Sequence, residues 1–331
     1  MISFRRDGNM LQQINRRLEK MLPFITPTGV VLGIIFSAYI QDYSFIVPWL
    51  FAFMTFEGSL TMNFRSLKNA VIHPFPIIIV LVFLHVLMPL WAWGISHTVF
   101  NGDSLTITGI ILGMVIPTGV TSFIWVSMKK GNKAVTLAAI LIDALLSPFI
   151  VPYSLSLFVG QKVALDTGSM MTGLFYMIVL PSILGMLLNE ITKGKIAPIW
   201  KPRLAPISKI FLGVVVAMNG SVVAPYLAAI HGKLILIIFV VFCIAFSGYL
   251  FAYLLGKGLK FDQQMNTAFT FLGGMRNISA GAVIAISYFP PAVVVPVVVS
   301  MLFQQTLASL YGSFLDKRYQ QQVEGENTVT S

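Results

Sequence analysis

Charge is scarce in this chain. Only 12 acidic and 22 basic residues occur among 331, so 10% are charged and 56% are hydrophobic. A soluble domain carries about 25% charged residues. This excludes a cytosolic enzyme, a nucleic-acid-binding domain and a disordered scaffold. Cysteine is almost absent as well. Cys243 is the only one, which excludes an intrachain disulfide and any paired-cysteine metal site. Histidine occurs at 73, 85, 97 and 231 only, scattered and without an HExxH pattern, and neither a Walker motif nor a cofactor motif is present. An intramembrane metalloenzyme and a chain driven by its own nucleotide site are therefore disfavoured, and no cofactor is expected.

Long apolar runs fill the sequence instead. A helix crosses the bilayer with about 20 apolar residues, and ten runs qualify: 23–40, 45–64, 72–99, 106–128, 134–159, 168–189, 206–227, 233–256, 265–287 and 290–314. Residues 1–22 read as a basic amphipathic segment on the membrane surface, with Ile14 and Leu18 at helical spacing. Residues 315–331 read as a polar cytoplasmic tail, disordered from 319. Of the 22 basic residues, 19 fall on one side of a ten-span topology, in clusters such as Arg65 and Lys68, Lys129 to Lys133, and Lys193 to Lys209. The opposite side has Lys162 and Lys233 beside Asp42, Asp103 and Asp166. Positive loops stay inside, so both termini are expected in the cytoplasm of a multi-pass cell-membrane protein.

The halves echo each other. Glu57-Gly58-Ser59 matches Asn219-Gly220-Ser221, and Ile72-His73 matches Ile230-His231. The Pro/Gly/Ser break at 117–122 in the fourth span has a Gly-rich counterpart at 273–277 in the ninth. A unit of five spans crosses an odd number of times, so its second copy is inverted. The expected fold is an all-α membrane protein of ten helices, built as repeats 23–159 and 168–314, with discontinuous fourth and ninth helices that cross. Inverted repeats with interrupted helices mark secondary transporters whose site lies near the midplane.

The breaks resemble those of the bile acid:sodium symporter (BASS) family. Pro117-Thr118-Gly119-Val120-Thr121-Ser122, Gly131-Asn132, Gly274-Met275 and Asn277 match its motifs. The resemblance implies a core domain, a panel made of helices one, two, six and seven, and organic anion substrates such as bile acids, sulfated steroids and small keto or pantothenate-like acids. Substrate-facing residues would then include Thr118, Gly119, Thr121 and Asn277, with Glu57 and Asn219 from the panel. The positions that hold two sodium ions in the family correspond to Ser122, Phe123, Thr136, Ile140, Leu272, Met275 and Arg276. Here a carboxylate, an amide and a hydroxyl of the family are replaced by Leu272, Phe123 and Ile140, and Arg276 brings a fixed cation.

Charges within a span point to function. Thr136, Ile140, Asp143 and Ser147 share one helical face, so Asp143 is expected to pair with Arg276 or to relay protons. Glu57 is a second candidate for proton titration. His85 reads as a packing residue, and Gln304 and Gln305 take the repeat position of Asp143. The expected function is a secondary transporter for an organic anion, bearing a carboxylate, that works by alternating access. It would be sodium-independent with Arg276 in place of the cation. The alternatives are a symporter retaining a sodium site through Ser122, Thr136 and backbone carbonyls, or a sensor on the same fold. An arsenite permease is disfavoured because Cys243 lies outside both breaks. The expected partners are a small organic anion, the lipid bilayer, and sodium or protons.

Overall fold

The computed structural model describes residues 2–62, 74–159, 166–227 and 231–330. Arg65, Lys68, His73 and Lys162, which entered the topology and repeat arguments, lie outside them. Helices account for nearly all of these residues: α1 (Ile2–Ile35), α2 (Ser37–Ile40), α3 (Val47–Ser59), α4 (Pro74–Val82), α5 (Met88–Val99), α6 (Ser104–Val115), α7 (Thr121–Met128) and α8 (Lys133–Val159) in the first half. The second half has α9 (Thr167–Leu174), α10 (Leu180–Ile191), α11 (Ile196–Leu227), α12 (His231–Gly258), α13 (Gln263–Gly274), α14 (Ile278–Tyr288) and α15 (Pro291–Thr330). Helices α4 and α5 join through a π turn at Phe83–Leu87, and α9 and α10 through another at Phe175–Val179.

Among the described residues, six helices are long and apolar enough to cross a membrane, or seven if the bent pair Phe24–Ile35 and Ser37–Ser59 counts as one span. That pair turns by 85°. Helices α6 and α14, at the two breaks, are shorter apolar elements. Large side chains cover the outer face, with Trp49 77% and Leu157 78% exposed. An apolar surface of this extent needs a nonaqueous neighbour.

Local sequence sets the boundaries. Asp103, Asp166, Asp262 and Asn277 each begin a helix, and each side chain accepts a backbone N–H of the first turn. Such residues satisfy donors that have no intrahelical partner. Asp103 also pairs with Lys233, tying the start of α6 to the start of α12. Burial alone would raise the Asp103 carboxyl's pKa, but the hydrogen bonds from Lys233 and Thr106 outweigh it and hold the group below its ordinary value. The tail does not follow the expectation of disorder, because α15 runs on to Thr330. Its Gln and Glu residues favour helix and no proline interrupts them.

The core forms where α6, α14 and α15 stack, with Ile111, Leu112, Ile284, Val293 and Val297 fully buried. Helix α1 lies along α11, and the approach is close. A Cβ added at Gly33 would sit 1.9 Å from the Ala217 carbonyl oxygen. Backbone cannot yield as a flexible side chain can, so Gly33→Ala is expected to force the two helices apart. Overpacking of this kind costs about 1–3 kcal/mol. Unfolding of the purified protein in detergent should show that loss, whereas Gly94→Ala, where nothing lies within 4 Å of the added atom, should not.

Candidate functional site at the paired helix breaks

Residues 116–120 separate α6 from α7, and residues 275–277 separate α13 from α14. Pro117 has no N–H and drives the residue before it out of the helical region. Ile116 is accordingly extended, at ψ 149°. Met275 is extended too, at φ −107° and ψ 121°. Before it, Gly274 is pressed against an aromatic ring: a Cβ there would come within 2.3 Å of Tyr249 ring carbons.

The breaks satisfy each other. Thr118 and Arg276 form an antiparallel bridge. Gly119 N donates to the Met275 carbonyl at 3.3 Å, and Asn277 N donates to the Pro117 carbonyl at 2.7 Å. The Thr118 hydroxyl contacts the Met275 and Leu272 carbonyls at 2.9 and 3.3 Å. Side chains take two further amides. Thr118 N donates to Asp143 Oδ2 at 2.6 Å, and Arg276 N donates to Gln304 Oε1 at 2.9 Å. Gln305 accepts from the Trp125 indole at 2.9 Å.

Around this bridge the expected ion positions are largely apolar. Ile140, Leu272 and Met275 are buried among hydrophobic neighbours. The Ser122 and Thr136 hydroxyls donate to the carbonyls of Gly119 and Asn132, both at 2.7 Å. Arg276 is 2% exposed. Its Nη2 donates to the Leu84 carbonyl at 3.4 Å, while Nε and Nη1 have no hydrogen-bond partner among the described residues.

The expected Arg276–Asp143 pair is not a direct contact. Asp143 is fully buried and lies within electrostatic reach of Arg276, yet its Oδ1 is held by His85 Nε2 at 2.6 Å. The physical reason is the π turn at Phe83–Leu87, which sets His85 against α8 while the guanidinium reaches to Leu84 instead. His85 is thus a member of the site rather than the packing residue expected. Its sequence signal was its place in an apolar span, four residues before Pro89. Thr118 braces the bridge and is not in the lining of the large cavity described next. Asn219 is not in that lining either; it is fully buried, and neither side-chain polar atom has a hydrogen-bond partner.

A cavity of about 570 Å³ lies against the bridge, lined there by Gly119, Thr121, Phe123, Asn277, Ser279 and Gln304. Helices α1, α3 and α11 contribute Glu19, Glu57, Lys201 and Lys209. Lys209 pairs with Glu19 at 3.4 Å, and Lys201 donates to Thr61 Oγ1 at 3.0 Å. Glu57 is buried and its Oε1 has no partner. Sequence reasoning placed the two lysines in a loop as topology signals, and no local pattern marked them as cavity lining.

Residues 23–321 match the SBF-like CPA transporter family. The chain belongs to that family. The uncharacterized protein YbaS of Bacillus subtilis is 50% identical over 296 residues, covering 89% of this chain and 97% of that protein. YocS of the same organism, named an uncharacterized sodium-dependent transporter, is 24% identical over 318 residues, 94% of this chain and 98% of its own length. The probable chloroplastic sodium/metabolite cotransporter BASS1 of rice is 27% identical over 257 residues, 77% of this chain and 61% of that protein. In this SBF-like transporter the all-helical fold, the membrane-spanning apolar helices and the family agree on transport across a membrane.

Asp143 satisfies a backbone amide, an imidazole and the field of a guanidinium at once. Asp143→Ala should cost about 3–5 kcal/mol, as when one partner of a buried charge pair is removed. Asp143→Asn keeps an acceptor for one of the two donors and should cost less, about 1–3 kcal/mol. Denaturant unfolding of both variants in one detergent checks that order.

Proposed function

We propose that the protein is a secondary transporter that moves a carboxylate-bearing organic anion across the cell membrane by alternating access, without sodium. In this reading the chain crosses ten times as two inverted five-helix repeats, 23–159 and 168–314, with both termini in the cytoplasm. Helices α6–α7 and α13–α14 are the broken fourth and ninth spans. The like treatment of the breaks supports the repeat, since Asp143 caps one freed amide and Gln304 the other.

The observation that carries the reading is the buried guanidinium of Arg276 at the bridge, whose Nε and Nη1 have no hydrogen-bond partner among the described residues. A cation site needs several oxygen ligands. Here Leu272, Ile140 and Met275 offer none from their side chains, and a positive charge already stands among them. Arginine stays protonated at any working pH, so it braces the crossing permanently and cannot leave as a coupling ion does. Two of the relatives are named for sodium, and in this reading Arg276 takes the place of that ion here. The cavity supplies the substrate site: Gly119, Thr121 and Asn277 at the bridge, and Glu57 with Lys201 opposite.

Uptake of labelled pyruvate, pantothenate and taurocholate into proteoliposomes, in sodium and in choline buffer at one pH, tests the proposal. Equal rates in the two buffers are expected, and a steep saturable dependence on sodium would end it. A second measurement needs no substrate. Sodium should leave the melting temperature of the unmodified protein unchanged, and should raise that of Leu272→Glu/Arg276→Gln, which restores two oxygen-bearing side chains. For the topology, an impermeant thiol reagent applied outside cells, on a background lacking Cys243, should label Asp103→Cys and not Lys130→Cys.

A further inference from the structure

We infer that His85 is the seat of a coupling proton, and that the carrier moves its anion together with that proton. This rests on the sodium-independent reading above, and it names the ion that replaces sodium.

The argument begins with the hydrogen bonds of one carboxylate. Asp143 Oδ2 accepts the Thr118 N–H at 2.6 Å, and Oδ1 faces His85 Nε2 at 2.6 Å. We place the hydrogen of the second contact on Nε2, with Asp143 ionised as the counter-charge of the buried Arg276. A neutral imidazole carries one N–H. Nδ1 is therefore a bare lone pair, and it is buried with no hydrogen-bond partner among the described residues. The His85 side chain is only 8% exposed. A buried acceptor without a donor is unfavourable, and a proton placed on Nδ1 turns the ring into a cation already seated against a carboxylate.

The surrounding charges are few. Of the elements packed on α8, the stretch from Pro74 to Leu87 brings His85, and the break after Gly274 brings Arg276, with Tyr249 beside it. Residues 104–128, 167–179 and 263–274 contain no Asp, Glu, Lys, Arg or His. With His85 neutral, Asp143 and Arg276 cancel. A proton on Nδ1 leaves one net positive charge inside an apolar core. A buried net charge is costly, and an organic anion bound at Gly119 and Asn277 offsets it. Anion and proton then favour each other's binding, and the preference is reciprocal. A monoanion that travels with one proton carries no net charge.

The same carboxylate connects the proton to the moving part. Asp143 holds the first residue of the Thr118–Arg276 bridge through the Thr118 amide, and an ionised acceptor binds an N–H more strongly than one whose charge is shared with an imidazolium. Protonation of His85 thus alters the grip on the break that borders the substrate cavity.

Nitrogen-15 NMR of histidine-labelled full-length protein in lipid nanodiscs reads the ring directly. His85 is assigned by its loss in His85→Gln, and independently in a variant with His73, His97 and His231 replaced by Gln. At high pH the ring should be neutral with its hydrogen on Nε2. It should gain a second proton on Nδ1 as the pH is lowered. Asp143→Asn should weaken that proton binding about tenfold or more, because an opposite charge is lost. A ring that keeps one protonation state across the titration, or the Nδ1–H tautomer at high pH, overturns the proposal. So does a midpoint unmoved by Asp143→Asn. Replacing choline by sodium in the same titration separates the two readings. A midpoint displaced by sodium refutes the sodium-independent site while leaving the proton seat standing.

Discussion

The structure depends on how two interrupted helices dispose of their backbone polar groups. A bilayer supplies no water to an exposed N–H or C=O, so irregular backbone survives only against protein or a wet cavity. Here the breaks bond to each other, from Asn277 N to Pro117 O and from Gly119 N to Met275 O. This requires the chains to cross closely, and closeness requires Gly119, whose Cβ would stand 3.0 Å from the Arg276 carbonyl oxygen. Behind Gly274 the Tyr249 ring leaves no room for a side chain. Crossing, apolar surroundings and small residues are thus consequences of one demand.

That demand explains what the sequence could and could not disclose. Breaks are local events. Pro117 ends α6, Asp262 and Asn277 cap the helices that follow them, and these residues announce themselves within a turn of the feature they cause. The apolar runs were equally legible because the bilayer imposes their composition. The His85–Asp143 contact was not, since 58 residues separate the partners and their meeting depends on a π turn that no composition rule marks. Lys201 and Lys209 were read only as topology signals, for a related reason. Charge near a span end is ordinarily a topology signal, and only the packing of α11 against α1 and α3 turns these two toward a cavity. The tail after Tyr319 failed differently: polarity suggested disorder, while helix-favouring residues continued α15.

Arg276 sets the electrostatics of the core. A guanidinium is weakly hydrated and offers five donors in a planar fork, so it tolerates burial better than an ammonium. One donor reaches the Leu84 carbonyl. The charge itself is balanced through space by Asp143, which spends its hydrogen bonds elsewhere. Separation between charge balance and hydrogen bonding lets Asp143 serve a backbone amide and an imidazole without losing its effect on the cation. A direct Arg–Asp pair would compete with the Thr118 amide and His85 for the same two oxygens.

The two freed amides are met by different groups, and the difference follows from the same charge. Thr118 N faces a carboxylate, whereas Arg276 N faces the neutral amide of Gln304. With one guanidinium in the core, a single carboxylate brings the sum to zero. A second in place of Gln304 would leave a net negative charge among buried apolar side chains, at a cost of several kcal/mol for an uncompensated ion. A neutral group at both positions would strand the guanidinium instead. One acid and one amide is the combination that meets both of these amides and neutralises the cation.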